Sequence, residues 1–313
     1  MNPDLATSPA TTTSEQISAN VLAEMGRPRN QRIGEVMQAL TRHLHDFARE
    51  VRLQPDELLA AADFLTRCGQ ISDDTRHEFL LLSDTLGLTM LVDTLATEVP
   101  DGALESSVLG PFYRADAPME ANGTSIVRGG YHGEATHLHG RVLDMDGKPI
   151  AGAVLDIWST NDQGRYENLD PNQPDFNLRG RFTSDAEGNY DLWSVKPVSY
   201  SIPADGPAGE LLKAMDRHNM RPAHVHVIAS APGYRTVVSE LFTDDDPYLD
   251  SDVVFGVKSS LVVHYNRVSS AEALSNHTCD EPYWDLDYDF ILVPGETATI
   301  GFSTTRAADA PSA

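Results

Sequence analysis

Cysteine is nearly absent: two in 313 residues, Cys68 and Cys279, so the chain has no disulfide framework and no thiolate cluster for zinc. A reducing, cytoplasmic setting fits that scarcity. Basic residues are also few, 23 Lys and Arg against 47 Asp and Glu, and the resulting formal charge of −24 repels nucleic acid and anionic membranes. No basic block overrides it. Met1 to Asn20 has neither a basic start nor an apolar core, which argues against a secretory signal or a membrane span there, and its Ser, Thr and Ala content reads as a disordered tail.

The length exceeds one average domain, and the apolar periodicity changes partway along. Val36, Met37, Leu40, Leu44, Phe47 and Val51 recur at helical spacing. Pro55-Asp-Glu-Leu-Leu opens a second helix, with Gly69 to stop it, and a third is expected from about Thr75 to Leu95. Its Phe79–Leu82 and Met90–Val92 clusters are apolar over more than one face, as a helix packed between others or against a partner would be. Beyond Pro100 come short β-type runs, including Leu138–Leu143, Ala153–Trp158, Gly188–Trp193 and His224–Ile228, with Asp146-Gly147 as a hairpin turn. The chain is therefore expected to be α+β: a tail over 1–20, a helical domain over 21–105 and a β-sandwich over 106–313.

Four residues carry most of the chemistry. On a strand, side chains alternate faces, so His224 and His226 in Arg221-Pro-Ala-His-Val-His226 present two nitrogens to one side. Tyr166 and Tyr200 add phenols, hard oxygen donors that ionise near neutral pH only beside a strong positive charge. Together they suit iron(III). Read without further context, the same residues also allow a polar strand and two core tyrosines. A cupin would need Glu240 and His264 with the His pair and would leave the tyrosines idle, and a non-catalytic β-sandwich binding module remains a third reading. His137-Leu-His139 is a second such pair without ordered tyrosines, taken as a polar strand face near the surface. Asp244-Asp-Asp246 lacks the spaced oxygens of a calcium loop and reads as a solvated acidic loop.

Three segments carry a family resemblance: Trp158-Ser-Thr-Asn-Asp-Gln-Gly-Arg-Tyr166, Pro197-Val-Ser-Tyr200-Ser-Ile-Pro203 and Arg221-Pro-Ala-His-Val-His226. In order and separation they resemble the ligand segments of the intradiol ring-cleaving dioxygenases. Ser83-Asp-Thr-Leu-Gly87, Val108-Leu-Gly-Pro-Phe112 and Asp250–Lys258 further resemble the branch that cleaves hydroxyquinol. The resemblance implies a ferric ion held by Tyr166, Tyr200, His224 and His226, with Tyr200 the ligand that substrate displaces. It also implies Arg221 beside the reacting ring, where a guanidinium stabilises negative charge.

By the same resemblance the substrate pocket is made by Leu81, Val108, Leu109, Gly110, Pro111, Phe112, Ile202, Pro203, Arg221 and Val254, with Asp84 as the polar exception. A carboxylate there accepts a hydrogen bond from a third ring hydroxyl, which favours benzene-1,2,4-triol, cleaved with O2 to 3-hydroxy-cis,cis-muconate and its keto form maleylacetate, over catechol or chlorocatechols. Glu240 departs from the family, whose catechol-cleaving members commonly carry glutamine at this place. Homodimerisation through the helical domain, with a phospholipid in an apolar tunnel there, is likewise implied by the resemblance.

Overall fold

A computed structural model describes residues 12–26, 28–73, 76–130, 133–275 and 281–296, so Cys279 and the start of the third expected helix lie outside the described residues. Its helices are α1 (Ser14–Glu24), α2 (Gln31–Val51), α3 (Pro55–Ile71), α4 (Glu78–Thr85), α5 (Leu88–Ala96), α6 (Pro207–Ala214) and α7 (Ser270–Ser275). The chain divides into two compact units, residues 1–66 and 67–313.

In the first unit, helix begins at Ser14 where a tail to Asn20 was expected. Thr13 and Gln16 form a capping box that satisfies the first free N–H groups, and Ser18 on α1 bonds His45 (2.8 Å) and Arg49 (2.8 Å) on α2. The apolar stripe of α2 is where the periodicity puts it, and within this chain it is exposed, Leu44 by 55% and Phe47 by 51%.

The boundary was expected at 105/106, whereas the compact unit that holds the sheets begins at 67. The reason is packing: Glu78 of α4 is fully buried and accepts the Ala208 N–H of α6 (3.0 Å) while pairing with Arg76 (2.9 Å). The single helix expected over 75–95 is two helices at 80°. Gly87 interrupts it with φ 71°. Among the described residues no single helix is long and apolar enough to cross a membrane.

The strands are β1 (Thr124–Ser125), β2 (Ala135–Asp144), β3 (Val154–Trp158), β4 (Arg179–Thr183), β5 (Asn189–Val195), β6 (Tyr200–Ser201), β7 (Met220–Arg221), β8 (His224–Ser230), β9 (Val237–Thr243), β10 (Val262–Val263), β11 (Asn266–Val268), β12 (Tyr283–Asp287) and β13 (Phe290–Leu292). One sheet runs β10-β9-β8-β3-β4 and the other β1-β5-β2-β12-β11, with β13 also on β2. Leu138, Val142, Leu192 and Leu286 from one meet Leu155, Ile157, Val225, Val227 and Leu241 from the other, giving the expected sandwich core. A second apolar cluster covers the far face of the five-stranded sheet, joining Trp158, Tyr166, Tyr200 and Ile228 to Met90 of α5 and Leu212 of α6. Strand β8 is consequently buried on both faces, which lets it hold polar groups away from water.

Strand β12 pairs in parallel with Thr136–His139 of β2 and β13 in the same direction with Val142–Asp144, so the chain runs on past Gly140 and brings Tyr288 against it. A side chain there would place its Cβ 2.1 Å from the Tyr288 carbonyl oxygen, at φ +148°. Gly140→Ala is therefore expected to lower the stability of this unit by on the order of 2–4 kcal/mol, read by chemical denaturation. A loss below about 0.5 kcal/mol would mean that this close approach does not constrain the sheet.

Candidate metal centre

Strand β8 lies between β3 and β9, and its start is pinned by the end of β9 and the turn after it: Ala223 donates its N–H to Asp246 (2.9 Å) and accepts from Thr243 N–H (3.0 Å). Asp246 is thus a structural acceptor at the end of a loop whose Asp244 and Asp245 are exposed. Val225 and Val227 face the sandwich core, leaving His224 and His226 on the opposite side. Tyr166 follows β3 after a turn in which the Asn161 side chain accepts from Gln163 N–H (3.0 Å) and Arg165 N–H (2.9 Å). Tyr200 sits on β6, directly opposite Arg221 on β7.

These elements bring the four expected donors together. Tyr166 Oη is 2.9 Å from His226 Nε2 and 3.3 Å from Tyr200 Oη, and the two Nε2 atoms are 3.2 Å apart. Bonds of about 2.0–2.1 Å to one ion require donor edges of about 2.8–3.4 Å, so the set fits a small cation. His224 Nδ1 donates to the Pro222 carbonyl (2.7 Å), which leaves Nε2 as the ligand atom. His226 is oriented by stacking on Trp158 at 4.6 Å and 6°, and its Nδ1 lies 3.3 Å from Glu240 without hydrogen-bond alignment.

Burial lowers both imidazoles, with Arg221 adding to the effect at His224 and His224 adding to it at His226, so they stay neutral and keep their lone pairs. Burial pushes both phenols up; at Tyr166 the neighbouring Tyr200 pushes further, whereas at Tyr200 Arg221 pulls back. A cation among the four is what makes phenolate accessible near neutral pH.

Behind the histidines lies a fully buried ion cluster. Arg221 donates to Glu240 through Nη1 (2.7 Å) and Nη2 (3.0 Å) and to Asp252 through Nε and Nη2 (3.2 Å each), with Nη1 3.3 Å from His224 Nε2. Ser107 donates to Glu240 (2.6 Å). Burial alone would raise the Glu240 carboxyl, but Arg221 outweighs it and holds the group below the ordinary range. Arg221 was expected to set a guanidinium charge beside the metal pocket. It lies there paired with two carboxylates, and the spacing of the motif gave no sign of either.

A cavity of about 570 Å³ adjoins the centre, lined by Leu81, Asp84, Val108, Leu109, Gly110, Pro111, Phe112 and Pro203 from the expected set. Ile202 and Val254 instead belong to the apolar cluster around Tyr166 and Tyr200, and Arg221 to the ion cluster. Arg76, His77, Glu78 and Leu80 line one part of it, and Thr89, Asp93, Ser107, Leu169 and Val238 another; none of these was foreseen. Burial raises the Asp84 carboxyl, countered by hydrogen bonding to Thr89 and by Arg221. His264, needed for a cupin, is exposed and bonds Asp244 (2.7 Å).

The family model described as Dioxygenase matches residues 108–294, and the one described as Catechol dioxygenase N terminus matches 30–103. A hydroxyquinol 1,2-dioxygenase of Rhizobium sp. is 45% identical, over 89% of this chain and 95% of its own. A catechol 1,2-dioxygenase of Candida albicans is 40% identical, over 89% and 92%. The crystal structure of a hydroxyquinol 1,2-dioxygenase from Pseudomonas putida superposes with a TM-score of 0.85 at 44% identity, covering 90% of this chain and 99% of that one. The chain belongs to the intradiol ring-cleaving dioxygenases. That family is iron-dependent, and the donor set suits its metal.

Glu240 adds a second buried carboxylate, beside Asp252, to Arg221. Removing it leaves Arg221 with Asp252 alone. Glu240→Ala is expected to cost about 3–5 kcal/mol of stability, with Glu240→Gln costing clearly less because it keeps an acceptor for Arg221. Equal losses in the two variants, measured by denaturation, would show that the charge and not the hydrogen bonding sets the cost.

Proposed function

We propose that this chain is a ferric dioxygenase that opens benzene-1,2,4-triol between its two adjacent hydroxylated carbons, both atoms of O2 ending in 3-hydroxy-cis,cis-muconate. The reading for the triol rests on Asp84, an acid in the otherwise largely apolar stretch Leu81, Val108–Phe112 and Pro203 of the cavity wall. Thr89 already bonds that carboxylate; a hydroxyl at the third position adds a partner from the ring that catechol does not offer.

Tyr166, Tyr200, His224 and His226 would hold the ion. Ferric iron, when bound, supplies the Lewis acidity that draws electron density from the diphenolate ring toward attack by O2. Tyr200 takes a proton from a ring hydroxyl as substrate enters, helped by Arg221 opposite it on β7, which eases ionisation of its phenol. Tyr166 and the two histidines keep their places through this exchange: Tyr166 is buried with its ring 4.8 Å from Phe112, and His226 is clamped on Trp158. The apolar side chains of Val108, Leu109, Pro111 and Phe112 limit water on their side of the cavity, and the guanidinium of Arg221 faces the centre from behind His224.

Oxygen uptake with the triol tests the reaction, with about one O2 consumed per triol expected. No iron in the purified protein and no uptake on the triol, catechol or chlorocatechols would favour the non-catalytic binding module. His224→Ala and His226→Ala are each expected to abolish iron retention. Tyr200→Phe should keep much of the iron and lose turnover, and near-normal turnover would remove its role as proton acceptor. Asp84→Ala is expected to lower the triol-to-catechol ratio of kcat/KM by about ten-fold or more; an unchanged ratio would end the hydroxyl-recognition reading and leave the ring-cleavage reading in place.

The exposed stripe on α2 supports a homodimer through this helix, with bound phospholipid as part of the same proposal. Leu44, Phe47 and Val51 lie one helical turn apart and half exposed, an apolar face that water penalises. Leu44→Glu with Phe47→Glu is expected to give a monomer by light scattering, and lipid extraction with mass spectrometry reads the ligand. The buried, unpaired thiol of Cys68 fits a cytoplasmic enzyme.

A further inference from the structure

The outward face of the six-stranded sheet repeats the arrangement that builds the ferric site. In the centre of one sheet, His226 on β8 lies opposite Trp158 on one neighbouring strand and Glu240 on the other. In the centre of the second, His137 on β2 lies opposite Trp193 on β5 and Asp285 on β12. His137 stacks on Trp193 at 4.7 Å and on His139 at 4.5 Å, so the tryptophan and the two imidazoles form one pile held over the sheet.

Three carboxylates surround the pile. Asp285 Oδ1 is 3.3 Å from His137 Nδ1 and 3.2 Å from His139 Nε2, and one ligand atom from each of these residues lies within 4.8 Å of the others. His137 Nε2 is 2.8 Å from Asp191 Oδ1, and His139 Nδ1 is 3.9 Å from Asp287 Oδ1. A neutral imidazole has a single N–H. The short contact to Asp191 uses it on His137, which turns the Nδ1 lone pair toward an oxygen of Asp285 that has only lone pairs to offer. Something positive is needed between them, a second proton or a metal ion. Edges of 3.2 and 3.3 Å are close to the roughly 3.4 Å edge of a tetrahedron with bonds of about 2.1 Å. A carboxylate on the far nitrogen of a ligating imidazole is the usual outer support of such a site.

We propose that His137 Nδ1, His139 Nε2 and Asp285 Oδ1 form a second metal site, for one divalent ion of the zinc class, with Asp191 orienting His137 and water completing the coordination. Imidazole with carboxylate selects zinc, nickel or copper over magnesium or calcium. All three side chains are partly exposed, so the ion enters from solvent. Bound there, it ties β2 to β12, a strand that joins the sheet from far along the chain. The site uses none of the residues of the ferric centre and stands whether or not the ring-cleavage reading holds.

Tag-free, iron-loaded protein equilibrated with Zn2+ in excess Mg2+ is expected to bind one zinc per chain beyond its iron, with a rise in Tm on zinc addition. His137→Gln and Asp285→Asn should each weaken zinc binding at least about ten-fold and remove the Tm response, while iron content and visible colour stay at the wild-type level. Both positions are on the outer face, and unchanged iron and colour report an intact sandwich. His139→Gln is the independent check. Zinc binding that survives in all three variants, or that Mg2+ suppresses, would overturn the proposal in favour of general cation attraction by an acidic surface or of protonated imidazoles.

Discussion

The pairing of Arg221 with Glu240 and Asp252, with both acids and the base away from water, constrains everything around the centre. Each charge would be several kcal/mol too costly alone, and together they persist only because the planar guanidinium meets both carboxylates at once. The three residues come from β7, from β9 and from the chain after the turn at Leu249–Ser251, so the cluster fixes the distance between those pieces. Tyr200 is opposite Arg221 across β6 and β7, and His226 is opposite Glu240 across β8 and β9. A shift in the cluster therefore moves a phenol and an imidazole together. One base against two acids also leaves a negative excess behind two neutral histidines, which favours a cation in front of them.

That placement is possible because β8 has no solvent face. Val225, Val227 and Ala229 fill the sandwich core on one side, and the side carrying His224, His226 and Ile228 is covered by Trp158, Tyr166, Met90 and Val108. A strand with one wet face would hydrate the imidazoles and the acids behind them, and the differences among the tyrosines would shrink with it. The helices after residue 67 supply this cover. Their break at Gly87 lets α4 bring Leu81 and Asp84 to the cavity while α5 brings Met90 to the cluster.

Much of this was legible in the sequence because it depends on local period. Alternation placed His224 and His226 on one face, the turn signals delimited strands close to those found, and the two tyrosine segments lay where the family resemblance put them. What stayed hidden depends on neighbours brought from far away. Glu240 could be singled out as a departure, but its partnership with Arg221 spans two strands, and Ser107 reaches it across 133 positions. The helix at Ser14 was missed because Ser and Thr look disordered by composition, while Thr13 acts as a cap only once a helix follows it. The continuous helix over 75–95 failed for the opposite reason: its apolar content fits a helix, and one glycine with positive φ overrides that.

The two His-x-His pairs make the same point about spacing. Both sit in the middle strand of three, both pack an imidazole on a cross-strand tryptophan, and both have an acid on the other side. Their sequence pattern is identical, yet one is sealed and the other is partly open. On β8 the acid pairs with a buried arginine, and two phenols close the front, hard oxygen donors that suit the ferric ion proposed there. On β2 the acids face water and no phenol joins them, which leaves imidazole and carboxylate, donors that suit a softer divalent ion. What a strand motif binds is decided by the residues its neighbours carry and by how far water reaches, and the motif supplies only the two nitrogens.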